Sequence, residues 1–244
     1  MIYICSDIHG LYGRYSRLLD TIRLREQDTL YVLGDMIDRG PDGIEILLDM
    51  MKHPNIVPFM GNHEHMMLMY LFGYDKNAWM LDCNGGKVTL EKFRYLSDDD
   101  KRAVLTYLNE AYILKNLEVC GRRYSLSHIG IIRSEEDLQA GFIDGTDVYM
   151  LQKMVWGMHP YGLDQISSFP EQLCPTTFLT GHIVTRRYLG SQDDDIVTAD
   201  FANGCRYVDL DCGCALGENE GALACVALDE ETGLIDYDGA LYIR

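Results

Sequence analysis

Cations are scarce in this chain: 21 Lys and Arg stand against 38 Asp and Glu over 244 residues, a formal net charge of −17. Binding to nucleic acid is driven largely by cation–phosphate contacts, so nucleic acid is not an expected partner. No run of about 18 apolar residues is present to span a bilayer, and a cleaved leader would have to remove the first motif at Asp7. The expectation is a cytoplasmic protein with no membrane partner, and its acidity is compatible with a monomer. No Pro- or Ser-rich linker, internal repeat or low-complexity tract breaks the sequence, which predicts one domain over residues 1–244.

Eight cysteines are spread along the chain, and Cys212-Gly-Cys214 is the one close pair in sequence. A C-x-C without a second pair is a poor zinc site, so reduced thiols at strand ends are expected. The acidic runs Asp98-Asp99-Asp100 and Asp193-Asp194-Asp195 read as solvated charge at a helix start and in a loop.

The hydrophobic share of 47% suits a globular core. Ile2-Tyr3-Ile4-Cys5 reads as a strand, Leu11, Leu18, Leu19 and Ile22 recur at helical spacing, and Leu30-Tyr31-Val32-Leu33 is a second strand. The unit repeats with Pro41 near a helix start, Ile44, Leu47, Leu48 and Met51 on one face, and a third strand at 56–60. Parallel strands with crossover helices follow. Residues 63–110 turn helical, with Met66, Met67 and Met69 as core packing. Further strands are expected at 124–127 and 177–180, and an irregular, acidic stretch at 133–170 is the expected specificity region. Short strands at 196–197, 206–210, 222–228 and 241–243 imply a second, mostly antiparallel sheet.

Six short motifs lie among these elements: Asp7-Ile-His9-Gly10, Gly34-Asp35-Met-Ile-Asp38-Arg39-Gly40, Gly61-Asn62-His63-Glu64, Ser127-His128, Trp156-Gly157 and Gly181-His182. The first three each follow a predicted strand, at the carboxyl edge where an open α/β sheet gathers its functional loops. Carboxylate, imidazole and amide oxygen are hard or borderline metal ligands, and Arg39 among them suits a phosphate.

These motifs resemble those of the phosphoprotein phosphatase branch of the calcineurin-like metallophosphoesterases. The likeness implies an α/β (α+β) four-layer fold, two packed mixed β-sheets flanked by helices. It also implies two divalent metal ions, manganese first and Fe, Zn, Co or Ni as alternatives. Asp7, His9 and Asp35 would hold one ion; Asp35, Asn62, His128 and His182 would hold the other, with Asp35 bridging. The implied chemistry is in-line attack on phosphorus by a metal-bridging hydroxide. Arg39, Asn62 and His63 would contact substrate, and His63, oriented by Asp38, would protonate the leaving group. An alkoxide is a poor leaving group, so an imidazole held by a carboxylate suits the task on chemical grounds as well. His65 reads as a supporting or surface residue, and His53 belongs to a helix end.

Where bacterial and phage relatives resemble W-x-R, this chain reads Trp156-Gly157-Met158, so a second phosphate-binding arginine is missing; His159, Arg133, Arg186 and Arg187 are candidate substitutes. Trp79 to Leu90, W-x-x-x-x-N-G-G-x-x-T-L, and the strand end at Asp211 also resemble bacterial members and are expected to be architecture. The leading functional expectation is removal of phosphate from phosphoserine and phosphothreonine in proteins, which Asp38 and Glu64 favour. Symmetrical dinucleoside tetraphosphate hydrolysis is the alternative, since its members more often read G-N-H-D and lack the Asp of D-R-G. A non-catalytic scaffold is a third reading.

Overall fold

The computed structural model describes residues 1–129, 142–144, 151, 154–156, 171–186, 194–217 and 220–244. Strand β1 (Ile2–Cys5), helix α1 (Tyr12–Ile22) and strand β2 (Thr29–Val32) form the first crossover unit. Helix α2 (Gly43–Met50) and strand β3 (Ile56–Pro58) repeat it. The three strands lie parallel, with Ile4 opposite Tyr31 and Tyr31 opposite Val57. Helix α3 (Asn62–Leu71) leaves the end of β3, and a 3₁₀ turn at Ala78–Met80 leads to α4 (Gly86–Tyr95) and α5 (Asp98–Asn109). Ser97 caps α5 by accepting the Asp100 N–H at 3.1 Å, and Asp98, Asp99 and Asp100 fill its first turn, where the helix dipole favours anions.

The later strands are β4 (Tyr112–Val119), β5 (Arg122–Ser127), β6 (Phe142–Asp144), β7 (Thr176–Thr180), β8 (Val197–Asp200), β9 (Arg206–Asp209), β10 (Leu223–Asp229) and β11 (Leu234–Ile243). The last four do not all enter the second, mostly antiparallel sheet that the sequence suggests. β10 and β11 join the first sheet, in the order β11-β10-β1-β2-β3, and the second sheet runs β6-β4-β5-β7-β9-β8. Within the second sheet β5, β7 and β9 are parallel, so their carboxyl ends share one edge.

Alternation along the strands makes the layers. Ile2, Ile4, Tyr31 and Leu33 from the first sheet meet Tyr124, Leu126, Leu179 and Val208 from the second in one buried cluster. The intervening side chains Cys5, Leu30 and Val32 turn outward and pack in the same cluster as Leu18, Ile44, Leu47, Met66 and Met67. The first sheet therefore has one face on the second sheet and one under helices, as expected for buried strands. Leu228, fully buried in the inter-sheet cluster and remote from the strand ends that carry the motifs, tests this core. Leu228→Ala is expected to cost about 2–5 kcal/mol, read as a lower urea midpoint with an unchanged m-value.

All eight cysteines are free thiols. Cys212 and Cys214 are buried strand-end packing, and a close pair in space is Cys174 with Cys205, Sγ to Sγ 3.5 Å. Asp194 is not solvated: it is buried and accepts Arg186 Nη2 at 2.9 Å and the Gly221 N–H at 2.8 Å. Among the described residues no helix is long and apolar enough to cross a membrane.

Candidate metal centre

The motif residues meet where the carboxyl ends of β1, β2, β3, β5 and β7 converge, and backbone hydrogen bonds knit their loops together. His9 N–H donates to Asp35 O at 2.8 Å, Gly40 N–H to His9 O at 2.9 Å, and Gly181 N–H to His128 O at 2.8 Å. Six non-glycine residues of these loops have positive φ: Asp7 (56°), His9 (49°), Asp35 (52°), Asp38 (69°), Arg39 (65°) and His182 (76°). Left-handed backbone costs a side-chain-bearing residue roughly 1 kcal/mol or more. Its concentration here marks loops shaped for chemistry rather than for ease of folding.

Glu64 holds that shape. Its buried carboxylate accepts the N–H groups of Asp35 (2.9 Å), Met36 (2.8 Å), Ile37 (3.2 Å) and Gly61 (2.9 Å). Burial and the nearby Asp35 push its pKa up to about 7. In the sequence Glu64 reads as a mark of substrate preference; in the structure it is a clamp on the loop that carries Asp35, Asp38 and Arg39.

His9 and His128 are each aimed by a second contact. His9 Nδ1–H donates to Ile37 O (3.2 Å) and His128 Nδ1–H to Leu33 O (2.7 Å), which turns both Nε2 atoms inward. His9 Nε2 lies 3.6 Å from Asp35 Oδ2, and His128 Nε2 lies 3.5 Å from Asp35 Oδ1. Asp35 thus stands between two histidines from opposite sides. The Asn62 side-chain oxygen is 3.1 Å from His128 Nε2 and 3.0 Å from His182 Nδ1. Burial lowers the pKa of His9 and of His128, and takes that of His182 down to about 3. His128 Nε2, His182 Nδ1 and the Asn62 oxygen thus face one another as electron-pair donors, a set that fits a metal ion.

Asp7 makes the same point with charge. Its Oδ2 accepts the His182 N–H at 2.9 Å and the Ser6 hydroxyl, while its buried Oδ1 has no hydrogen-bond partner. Burial, then Asp211 and Asp35, push its pKa well above the ordinary carboxylate range. An anion so placed needs a cation. Two compact ligand sets share Asp35: His9, Asp35 and His63, and Asp35, His128 and His182, the atoms of each within 4.8 Å of one another. Asp7 Oδ1 approaches the first set at 3.9 Å from His9 Nε2. The residues fit a pair of divalent ions with Asp35 between them.

His63 has a second engagement. Its Nδ1 donates to Asp38 Oδ2 at 2.8 Å, leaving Nε2 toward the cluster. Burial works against its protonation, but Asp35 and the Asp38 hydrogen bond outweigh it and raise its pKa. Arg39 places Nη1 2.8 Å from His9 Nε2 and Nη2 3.4 Å from His63 Nε2, so its guanidinium reaches the same point.

Two functional neighbours escape the sequence reading. Trp79 Nε1–H donates to Asp38 Oδ2 at 2.7 Å and the Thr89 hydroxyl to Asp38 Oδ1 at 2.6 Å, while Thr89 Oγ1 accepts the Asp38 N–H at 3.1 Å. The glycines between them permit this approach. A Cβ on Gly85 would meet Arg39 N at 2.6 Å, and one on Gly86 would meet the Trp79 ring at 2.5 Å. The W-x-x-x-x-N-G-G-x-x-T segment, expected to be architecture, is the cradle of Asp38. Thr89→Val removes the hydroxyl from this carboxylate, a charge-assisted bond worth about 1.5–3 kcal/mol. It is expected to lower the thermal midpoint while leaving metal content unchanged.

Among the remaining candidates, Arg186 is committed to Asp194 and, at 3.0 Å, to Glu220, so it does not replace a phosphate-binding arginine. Arg133, Gly157, Met158, His159 and Arg187, and most of the 133–170 stretch, lie outside the described residues. His65 accepts Trp156 Nε1–H at 2.8 Å, a supporting contact.

The profile of the calcineurin-like phosphoesterase family matches residues 1–210. A symmetrical bis(5'-nucleosyl)-tetraphosphatase of Wigglesworthia glossinidia brevipalpis is 38% identical over 71 residues, 28% of this chain and 26% of that protein. Serine/threonine-protein phosphatase 2 of Salmonella typhimurium is 32% identical over 132 residues, 52% of this chain and 57% of that one. This chain therefore matches between a quarter and three-fifths of these relatives' length. The crystal structure of a putative diadenosine tetraphosphatase shares the fold, with a TM-score of 0.57 at 17% identity, covering 99% of this chain and 92% of that one.

Proposed function

This chain belongs to the calcineurin-like phosphoesterase family, and from that premise we propose that it is a two-metal phosphomonoesterase acting on phosphoserine and phosphothreonine in proteins. Asp7, His9 and Asp35 would hold one divalent ion, and Asp35, Asn62, His128 and His182 the other. When bound, the ions supply Lewis acidity and a water of lowered pKa.

The observation that carries the substrate reading is the His63–Asp38 pair, 2.8 Å long, with Asp38 held further by Trp79 and Thr89. With Nδ1–H on Asp38, a protonated His63 presents Nε2–H to the reaction. As the ester P–O bond breaks, that proton passes to the departing serine or threonine oxygen, and the products are the alcohol and inorganic phosphate. An alkoxide needs the proton. A nucleotide phosphate, with a second pKa of about 6, leaves without it, so a dedicated acid serves a phosphomonoester of an alcohol better than a polyphosphate. Arg39 grips the phosphate oxygens with its planar fork.

The names of the relatives favour a second reading, hydrolysis of symmetrical dinucleoside tetraphosphates. Turnover by the manganese-loaded protein separates the two. A higher kcat/KM for a phosphothreonine peptide than for diadenosine tetraphosphate supports the proposal; the reverse order replaces it with the second reading. Silence on both, and on para-nitrophenyl phosphate, with metal bound would point to a scaffold.

A further inference from the structure

Two thiols distant in sequence touch at the start of two neighbouring strands. Cys174 lies just before β7 and Cys205 just before β9, and the Cys205 S–H donates to Cys174 Sγ at 3.5 Å. The strands themselves set this contact. β7 and β9 are parallel neighbours with Thr177 opposite Arg206, and a Cβ on Gly204 would stand 3.5 Å from Pro175 Cβ. Bonded sulfurs lie about 2.05 Å apart, so a strand pairing already in place holds the two thiols just outside bonding distance.

The pair is divided into a reachable and a hidden member. Cys174 is half-buried and Cys205 is buried. Burial pushes the Cys205 thiol up to about 11, so it keeps its proton at neutral pH and the sulfur it faces is the one to react first. Pro175 and Gly204, their neighbours in the chain, line a cavity of about 640 Å³, which brings solvent to this corner of the sheet. Cys5 and Cys225 also stand opposite each other, across β1 and β10, but both are buried and burial raises both thiols.

We propose that Cys174 and Cys205 form a reversible modification site, a dithiol that closes to a disulfide by exchange with a small disulfide.

The Cys174 thiolate attacks one sulfur of the small disulfide, its S–S bond breaks and the first small thiolate leaves. Cys205 Sγ then attacks Cys174 Sγ in the mixed disulfide, and the second small thiolate leaves. The two cysteine protons pass to the two departing thiolates, so two protein thiols are oxidised as one small disulfide is reduced to two thiols. The bond ties strands that are already paired, while the unfolded chain loses the freedom of segment 174–205. It forms at the amino-terminal end of β7, whereas His182 follows the carboxyl end. The five residues of β7 set the two places roughly 17 Å apart at about 3.3 Å per residue. Closure should therefore stabilise the fold without reaching the metal centre.

The test equilibrates the full, manganese-loaded chain with mixtures of reduced and oxidised glutathione, traps remaining thiols with N-ethylmaleimide and maps the peptides. A peptide pair linked through Cys174 and Cys205 is expected in mixtures that leave the exposed Cys83 and Cys120 mostly alkylated, and dithiothreitol should reopen it. Tm should rise by about 4 °C or more on closure, with metal content unchanged. Cys174→Ser should show neither the link nor the rise. A glutathione adduct left on Cys174 without closure, a bond from either cysteine to a third, or an equal change of Tm in the variant would each overturn the proposal.

Discussion

His63→Asn should lower kcat/KM for a phosphothreonine peptide by about 10²–10⁴-fold, the usual worth of a positioned general acid, yet cost far less with para-nitrophenyl phosphate. The nitrophenolate leaves without a proton, and the peptide alkoxide does not. The asymmetry separates proton donation from any general damage to the site. Asparagine keeps a donor toward Asp38 Oδ2, where His63 Nδ1 stands at 2.8 Å, and metal content should stay that of the parent protein. An equal loss on both substrates would remove His63 from the role of acid and leave it as a structural neighbour of the ions.

Asp35→Asn should act through the metals. The carboxylate stands between His9 Nε2 and His128 Nε2, at 3.6 and 3.5 Å, and also accepts the His63 N–H at 3.1 Å. A neutral amide there removes the shared anion that offsets repulsion between two dications. Metal per chain after dialysis against defined free manganese is expected to fall. Lewis-acid stabilisation is worth several kcal/mol, so kcat/KM should drop by at least about a thousandfold at 1.4 kcal/mol per decade. Full occupancy by elemental analysis would refute the bridge.

The two variants also show which parts of this site a sequence can carry. β1, β2 and β3 were legible because buried parallel strands leave short apolar runs, and helical spacing between them reveals the crossovers. Motifs that follow such strands inherit a place at the carboxyl edge, and Asp7, Asp35 and Asn62 do meet there. The carboxyl-terminal strands were not legible in the same way. A short run such as Leu223–Asp229 looks the same whichever edge it joins, and the edge it chose was β1, with Cys225 opposite Cys5. β11 begins at Leu234 rather than 241, hidden by Asp236, Asp238 and Gly239 on an edge strand open to solvent. β4, at Tyr112–Val119, carries Lys115, Asn116 and Glu118 and lacks a clean alternation. Trp79 and Thr89 were present in a motif, but their partner Asp38 lies 41 and 51 residues away. No period or spacing encodes a hydrogen bond between loops.

The left-handed backbone at Asp7, His9, Asp35, Asp38, Arg39 and His182 restricts how this centre can be altered. Asp, Asn and His are the side-chain-bearing residues that tolerate such angles best, and β-branched residues tolerate them least. The workable alphabet at these positions is therefore short, and much of it already consists of oxygen and nitrogen donors. Retuning the centre toward another metal by exchanging its ligands would mean remaking the loops. Changing a group that touches a ligand's side chain, such as the Ser6 hydroxyl on Asp7, leaves these backbone angles alone, and adaptation of this scaffold has most room there.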